Sequence, residues 1–540
     1  MFWGCYTNYY KLHCVCLYQL WGRQEANNNT MLLQANVTTS TTNGINYTSI
    51  GSSRQMNGNT ITFGSFPSIT SGGIQVLYGT YSGGNGALDL EVSNNTITNQ
   101  NLPVTTGTCY LIYQTSAVSG SNDRNIVIDN NTFTNLTKGN SGTFYGIYVL
   151  TSDTVKVRNN MISDFTITNN SASGSSTFYG IYNSSSSKGS IITGNTVKNI
   201  NMSGTSTSTA SSVRGIFVSV TSTGGILTMA NNNVNNLQFA VGSTTTGQVI
   251  GLNTSTSQQS DVYNNRVYNL SANQSSGTVT GLLLSGGTTV NIYNNMLSDL
   301  RNPNANSATA IIGINLSSGT TVNVLHNTIY AGSTGPLSSI GVLFGGAGIQ
   351  VTNTVNANIQ NNIIHMNGTA AGDAYFASVR RATAGVNGTN PTSVVMSNNI
   401  YSSPYIFGEG TTLSTATNVY YIAGGSTGTA DPGFNTACGV FKAWKGDAGS
   451  FSEDNLAGAA GEYTPGGASY AEAGASTTTT PLIANDYYNV ARGATPDIGL
   501  QNLAVQPPTR LAPLFRLPIL VHKIVPYNHF FQQSLPMVVA

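Results

Sequence analysis

The chain has 540 residues, and its 20 basic and 19 acidic side chains leave a formal net charge of +1. Only 7% of the residues are charged, so the chain has no basic stripe for nucleic acid and no strong field to steer charged partners. The 5 cysteines match no zinc-site spacing, and an odd number is not a complete disulfide framework. We expect no nucleic-acid partner, no metal and no cofactor.

Residues 1–24 form an atypical N-terminal segment that is rich in aromatic residues and cysteine. It contains Lys11 and Arg23, but it lacks a clear order of charged start, apolar run and small-residue cleavage site. Two interpretations stay open: a degenerate export signal, or a start that is foreign to the mature protein.

Residues 25–400 are dominated by one repeated phrase, in which two turn-forming residues precede a short alternating strand. The ten copies lie at Asn94-Asn95, Asn130-Asn131, Asn159-Asn160, Gly194-Asn195, Asn231-Asn232, Asn264-Asn265, Asn294-Asn295, His326-Asn327, Asn361-Asn362 and Asn398-Asn399. Their second positions are 29 to 37 residues apart. A period in this range indicates a repeat architecture, in which each unit buries its apolar face against its neighbours.

The composition of one copy predicts its local structure. With the second Asn as position zero, positions −5 and −3 are mostly apolar, as are +2 and +5, so a strand ends, the chain bends and a new strand begins. Position −1 holds Asn, Gly or His, which tolerate positive φ. Position zero is Asn in all ten copies. Turn preference alone would also admit Asp, Gly and Ser there, so we predict a buried, stacked asparagine ladder.

A further strand begins at a glycine upstream of each phrase, as in Gly146-Ile147-Tyr148-Val149. Three short strands per unit without helical periodicity predict an all-β, right-handed parallel β-helix, a solenoid of about ten coils. A propeller blade has a similar period but needs hairpin signals that are missing here. Length varies mainly after position +5, which predicts that the loops emerge from one edge.

Residues 401–505 follow the repeats and contain the phrase from Ala491 to Gly499, including Arg492 and Pro496-Asp497-Ile498-Gly499. With the Asn-Asn repeats, this phrase resembles the terminal segment of secreted right-handed parallel β-helix repeat proteins of Bacteroidetes type. Leu500 stands where that family usually has Ala. We expect an irregular or β-structured C-terminal cap, with Arg492 paired to Asp497, because a solenoid end must be covered.

Residues 506–540 form a tail of unknown role. Its apolar run is interrupted by Arg516, Pro518, His522 and Lys523, so we predict no transmembrane span.

Candidate catalytic groups are few and scattered. Outward positions before the bend bring together Glu91, Asp129, Lys156 and Arg158 over three coils, without a second carboxylate at catalytic spacing. We interpret them as a salt-bridged surface and expect Asp129 beside Arg158, and Tyr263 beside Tyr293.

Several other polar residues also receive structural interpretations. Asp164 and Asp299 occupy position +4, where other copies have Asn, so we expect both to belong to a polar ladder and Asp→Asn changes to be nearly neutral. The sequence shows no partner for His326, His365 or the isolated Asp89. The residues Pro496-Asp497 are typical of a turn. We therefore predict no catalytic, cofactor-binding or metal-binding residue.

Two functions remain open at this stage. The first is an extracellular or cell-surface protein with a structural or adhesive role, which binds a polysaccharide or a cell-surface glycan. The alternative is a polysaccharide lyase or glycoside hydrolase, which requires clustered carboxylates. An ice-binding surface would need a regular Thr array, whereas the +1 column includes Met161, Asn233 and Arg266.

Overall fold

The computed structural model describes most of the chain from Arg23 to Gly408 and short parts beyond it. The described residues are 16–17, 23–47, 53–81, 88–116, 124–150, 154–185, 188–208, 210–220, 224–241, 246–255, 258–305, 307, 309–333, 344–351, 355–368, 375–381, 394–397, 399–402, 405–408, 456–457, 464–465, 479–493 and 499.

The described residues form β-strands joined by turns and loops. In chain order, the first eighteen strands are β1 (Cys16–Leu17), β2 (Arg23–Glu25), β3 (Thr30–Leu33), β4 (Thr42–Tyr47), β5 (Ser53–Asn57), β6 (Thr60–Phe63), β7 (Ile74–Tyr81), β8 (Leu88–Ser93), β9 (Thr96–Asn101), β10 (Cys109–Ser116), β11 (Arg124–Asp129), β12 (Thr132–Gly139), β13 (Gly142–Leu150), β14 (Thr154–Arg158), β15 (Met161–Thr168), β16 (Ser176–Ser185), β17 (Gly189–Thr193) and β18 (Thr196–Gly204). The others are β19 (Ser212–Val220), β20 (Ile226–Ala230), β21 (Asn233–Val241), β22 (Gln248–Ser255), β23 (Gln259–Tyr263), β24 (Arg266–Ala272), β25 (Thr278–Ser285), β26 (Thr289–Tyr293), β27 (Met296–Arg301), β28 (Ile311–Ser318), β29 (Thr321–Leu325), β30 (Thr328–Ser333), β31 (Phe344–Val351), β32 (Asn356–Gln360), β33 (Ile363–Gly368), β34 (Tyr375–Arg381), β35 (Val394–Ser397), β36 (Ile400–Ser402), β37 (Tyr405–Gly408), β38 (Leu456–Ala457) and β39 (Thr464–Pro465).

Strands β1 to β37 form three parallel sheets, in which each strand pairs with the third strand before it and the third strand after it. Sheet A contains 13 strands from β1 to β37, sheet B contains 12 from β2 to β35, and sheet C contains 12 from β3 to β36. One strand from each sheet makes a coil. This arrangement confirms the predicted parallel β-helix, and two coils precede the ten copies of the phrase. The short strands β38 and β39 form a separate antiparallel pair.

The core is built from columns of apolar side chains, one from each coil. Val155 and Val157 of sheet B, at positions −5 and −3, are fully buried, as are Ile162 of sheet C and Ile147 of sheet A. This confirms the predicted inward positions. Burying one such side chain contributes about 1.5–3 kcal/mol, so the coils are held together mainly by these columns.

The asparagine ladder is present and longer than predicted. In register, it contains Asn29, Asn59, Asn95, Asn131, Asn160, Asn195, Asn232, Asn265, Asn295, Asn327, Asn362 and Asn399. In each step, the backbone N–H and the side-chain Nδ2 of one Asn donate to Oδ1 of the next, as Asn131 does to Asn160 at 3.0 and 2.9 Å. From Asn59 onward these side chains are buried, which confirms the prediction.

The corner before the ladder has the predicted left-handed backbone. Asn130, Asn231 and His326 have φ of 56°, 56° and 54°, and Gly194 has φ of 69°. Sheets B and C are therefore joined by a tight corner whose geometry repeats along the solenoid.

Connection lengths vary at two points of each coil, so the prediction of a single variable connection was incomplete. Connections from sheet C to sheet A vary, from residues 140–141 to residues 302–310. Connections from sheet A to sheet B vary as well, from residues 151–153 to residues 382–393.

The described part of the C-terminal segment contacts the flank of the solenoid. Asn294 donates through Nδ2 to the carbonyl of Asn485 at 2.8 Å, and Arg492 Nη2 donates to Asn294 Oδ1 at 3.0 Å. The N–H of Gly499 donates to the carbonyl of Asn361 at 2.8 Å. These residues join corners two coils apart. The predicted boundaries at residues 24, 400 and 505, and the covering of the solenoid end, stay predictions.

Candidate functional site

The most distinctive surface is a cluster of aromatic rings on the outer face of sheet A, which we call the tyrosine platform. It has two columns. In register, the first contains Tyr110, Tyr145 and Tyr179, and the second contains Tyr78, Tyr113, Tyr148, Tyr182 and Phe217. All eight side chains are half-buried. The platform spans the five coils that contain β7, β10, β13, β16 and β19.

One residue outside the pairing register in each strand explains how both columns face outward; it is Val76 in β7, Leu111 in β10, and a glycine in β13, β16 and β19. In β13, Tyr145 and Tyr148 are three residues apart, so simple alternation would place them on opposite faces of the sheet. Gly146 lies between them as a buried residue outside the pairing register, which passes directly from Tyr145 to Ile147. This bulge resets the alternation and turns Tyr148 outward.

The spacing of the rings is regular along the solenoid axis, although in the second column the planes of Tyr78 and Tyr113 differ by 34° and those of Tyr113 and Tyr148 by 54°. The ring centroids of Tyr145 lie 4.9 Å from those of Tyr110 and Tyr179, and the ring planes differ by only 4° and 5°. In the second column, Tyr148 and Tyr182 are 5.1 Å apart with planes 2° apart. Offset stacking at this distance is the preferred geometry of aromatic pairs.

The two columns also contact each other. Tyr145 meets Tyr148 edge to face, with centroids 4.9 Å apart and planes at 66°, and Tyr179 meets Tyr182 at 4.9 Å and 72°. Seven of the eight rings therefore have neighbours in their own column and in the other, and Tyr78 contacts Tyr113 in its own column. A ligand would meet a preorganised apolar surface that carries a row of phenol hydroxyl groups.

Burial raises the pKa of five phenols of the platform. Desolvation raises the pKa of Tyr110 and of Tyr148 to about 12, and it also raises the pKa of Tyr113 and Tyr145. Desolvation raises the pKa of Tyr179 too, although the nearby Arg214 cation opposes the shift. Neighbouring phenols add to most of these shifts, since one phenolate disfavours the next.

The raised pKa values predict that alkali destabilises the fold. An unfolded tyrosine ionises near pH 10, whereas Tyr110 and Tyr148 ionise near 12 in the folded state, so their contribution is complete below pH 10 and is lost as the pH rises toward 12. We expect the free energy of unfolding to fall across this window. In the double variant Tyr110→Phe/Tyr148→Phe the fall should be shallower. Tyrosinate absorbance with a single midpoint near pH 10 in the folded protein would contradict the prediction.

The four charged residues singled out from the sequence lie on the surface of sheet B and make separate contacts. Arg158 Nη2 lies 2.8 Å from Asp129 Oδ2, which confirms their predicted pairing. Glu91 instead accepts a hydrogen bond from Gln55 at 2.9 Å. Val127 lies in register between Glu91 and Lys156 and separates them. No pair of carboxylates converges among these residues.

The second predicted surface pair is also confirmed. The rings of Tyr263 and Tyr293, on the outer face of sheet B, are stacked with centroids 4.8 Å apart and planes at 5°. They stand as an isolated pair in their column, since Ala230 and Leu325 occupy the register positions on either side.

Asp164 belongs to the predicted polar ladder at position +4, and Asp299 occupies the same column but contacts Arg301 of its own strand. Both have positive φ, 61° and 53°, like the Asn residues of that column. Asp164 Oδ1 accepts from Asn199 Nδ2 at 2.7 Å, and Arg301 Nε lies 3.2 Å from Asp299 Oδ1. Positive φ explains the choice of Asn and Asp, which populate the left-handed region more readily than most residues.

The two histidines of interest have neighbours after all. His326 Nε2 lies 3.0 Å from Asn361 Nδ2, and the His365 ring stacks on Tyr330 at 4.7 Å. Within the described residues, no group of three His, Cys, Asp or Glu side chains is arranged to hold a metal ion. Asp497 lies outside the described residues. Arg492 donates to the carbonyl of Gly499 at 2.8 Å.

The described part of the chain contains no helix long and apolar enough to cross a membrane.

Sequence reasoning missed the tyrosine platform. The signal was present as Phe-Tyr-Gly-Ile-Tyr, which occurs at residues 144–148 and again at residues 178–182. The upstream strand was recognised from its glycine and aliphatic residues. The sequence does not show that the strand alternation is interrupted at this glycine, so the residues that face outward could not be assigned.

Comparisons with models of protein families, with curated proteins and with solved structures give no match.

Proposed function

We propose that this β-helix is a structural, glycan-binding protein of the cell surface or the extracellular space, and that the tyrosine platform binds a linear polysaccharide. The observation that supports this most directly is the array of phenols, with one per coil over three coils in the first column and over four coils in the second. Centroid spacings within the two columns range from 4.9 to 5.2 Å for the tyrosine pairs.

Periodicity favours a polymer as the ligand. A chain that lies along the solenoid axis meets the same chemical group in every coil, so a repeating ligand repeats each favourable contact. Sugars present apolar C–H faces and hydroxyl groups. The rings supply apolar contact with a negative face, and each phenol both donates and accepts a hydrogen bond.

Charge argues against other polymers. Strands β7, β10, β13 and β16 contain no charged residue, and β19 contains only Arg214. Single-stranded nucleic acids need a positively charged groove beside the stacking residues, and these strands do not provide it. A largely uncharged polysaccharide fits an uncharged aromatic surface better.

The same composition favours binding over hydrolysis. Glycoside cleavage needs two carboxylates that flank the scissile bond. The five platform strands contain no Asp or Glu, so they offer recognition groups without an acid–base pair. The Ser-, Thr-, Asn- and Gly-rich sequence and the resemblance to secreted solenoids support a location outside the cytoplasm.

The test compares matched tyrosine pairs. We expect the full-length protein to bind polysaccharides on a glycan array, and Tyr145→Ala/Tyr148→Ala to weaken the best binding at least about tenfold, or 1.4 kcal/mol. The control Tyr263→Ala/Tyr293→Ala removes two contacting tyrosines with nearly the same centroid separation, 4.8 Å against 4.9 Å, from sheet B and should bind normally.

Three results would contradict the proposal. They are the absence of polysaccharide binding by the wild-type protein, an equal loss in the two double variants, and release of reducing sugar that Asp129→Asn abolishes in a folded protein. The last result would establish the hydrolase or lyase alternative.

A further inference from the structure

The first column of the platform ends at an arginine. Arg214 in β19 is the register partner of Tyr179, and Ile250 follows it in the next coil. Its guanidinium carbon lies 5.5 Å from the centroid of Tyr179 and 5.7 Å from that of Phe217. A cation therefore rests on the last rings of both columns, where their quadrupoles attract it.

Arg214 keeps hydrogen-bonding capacity for a ligand. Its one hydrogen bond within the described residues is a long one, from Nη2 to Gln248 Oε1 at 3.5 Å. Nε is buried without a partner, and no described carboxylate lies within ion-pair distance. A guanidinium has five N–H donors in a planar fork that matches a carboxylate. The side chain is half-buried and lies near two aromatic rings, so less conformational freedom is lost on binding than for a fully exposed arginine.

We propose that Arg214 binds a carboxylate of the polysaccharide, so that the preferred ligand is a linear glycan in which uronic acid residues alternate with stretches of neutral sugars. This inference rests on the proposed function of the platform. Arg214 at one end of the platform would bind an anionic sugar, and the uncharged phenols of the preceding coils would bind the neutral sugars next to it. A chain with a charge on every sugar fits poorly, because its other carboxylates would be desolvated over tyrosines without a cation.

The experiment uses one acidic polysaccharide before and after chemical reduction of its carboxyl groups to alcohols, which keeps the chain length and linkage. We expect the wild-type full-length protein to bind the acidic form about tenfold more tightly in low salt, and added salt to reduce this preference. Arg214→Gln should bind both forms equally, at the affinity that the wild-type protein has for the reduced form.

Arg266→Gln is the matched control, because Arg266 lies over the Tyr268 ring at the same 5.5 Å on sheet C. It should keep the full preference for the acidic form. If the preference for the acidic form survives Arg214→Gln, or if the wild-type protein binds the two forms equally, the proposed role of Arg214 is wrong. The proposed polysaccharide function of the platform is not affected by either result. Binding of neither form overturns the polysaccharide function and this inference together.

Discussion

Replacement of Asn232 by alanine should lower the free energy of unfolding by about 3 kcal/mol or more, since each orphaned buried polar group costs about 1–3 kcal/mol. The side chain makes contacts in both directions along the ladder. Its Oδ1 accepts from the N–H and Nδ2 of Asn195, both at 3.0 Å. Its Nδ2 donates to Asn265 Oδ1 at 2.9 Å and to the carbonyl of Ile192 at 2.8 Å. Alanine leaves the Asn195 N–H and the Ile192 carbonyl buried without partners.

The measurement is urea denaturation combined with amide hydrogen exchange, because a solenoid can lose its coils locally. Protection should fall first in the coils of Asn195 and Asn232. The control is Asn201→Ala, the same substitution at an exposed position of the preceding coil, which should change the stability by less than about 0.5 kcal/mol. Equal effects of the two substitutions would show that the ladder contributes nothing beyond an ordinary surface Asn.

The ladder was predictable because its chemistry excludes other residues. At position zero the side chain must accept two hydrogen bonds from one neighbour and donate to two further acceptors. Asp lacks the donors and would bury a charge, while Ser and Gly lack the reach. Only Asn meets this hydrogen-bonding requirement, so position zero is Asn in every coil. Because the strands lie at fixed distances from that Asn in the sequence, it also locates the strands on both sides of the corner.

The first two coils were missed for a physical reason. Asn29 and Asn59 occupy ladder positions, but their −5 positions hold the large polar residues Gln24 and Arg54, where most later coils have apolar residues. Arg54 is only 2% exposed and satisfies its guanidinium in part through the carbonyl of Thr80 at 3.1 Å. A buried polar side chain with a local partner hides the apolar pattern on which the sequence argument depends.

The tyrosine platform was missed for a different reason. Its columns depend on a bulge, and a bulge changes the face of every residue that follows it. Period-two reasoning holds within sheet B, whose strands are short and regular. It fails in sheet A at the bulge, as it does in sheet C at position +4.

The glycine of that bulge gives the second large prediction. Gly180 lies between Tyr179 and Tyr182, and a Cβ added there would be 2.6 Å from the carbonyl oxygen of Gly215 and 2.8 Å from Val197 Cγ1. Both distances are shorter than any normal contact. The carbonyl belongs to the next strand of sheet A, so it cannot move without disturbing the sheet. Gly180→Ala should therefore destabilise the protein by about 2 kcal/mol or more, as overpacking of a core does.

Gly189→Ala provides the control within the same coil, because a Cβ at Gly189 in β17 meets nothing within 4 Å. We expect that change to be neutral or to stabilise slightly, since it restricts the unfolded chain. Adding Val197→Ala to Gly180→Ala removes the side-chain clash but leaves the clash with the carbonyl, so it should not restore the wild-type stability. Urea denaturation of these variants measures the energies, and polysaccharide binding by Gly180→Ala measures the platform. If Gly180→Ala is as stable as Gly189→Ala and binds normally, the bulge is not what positions Tyr179 and Tyr182.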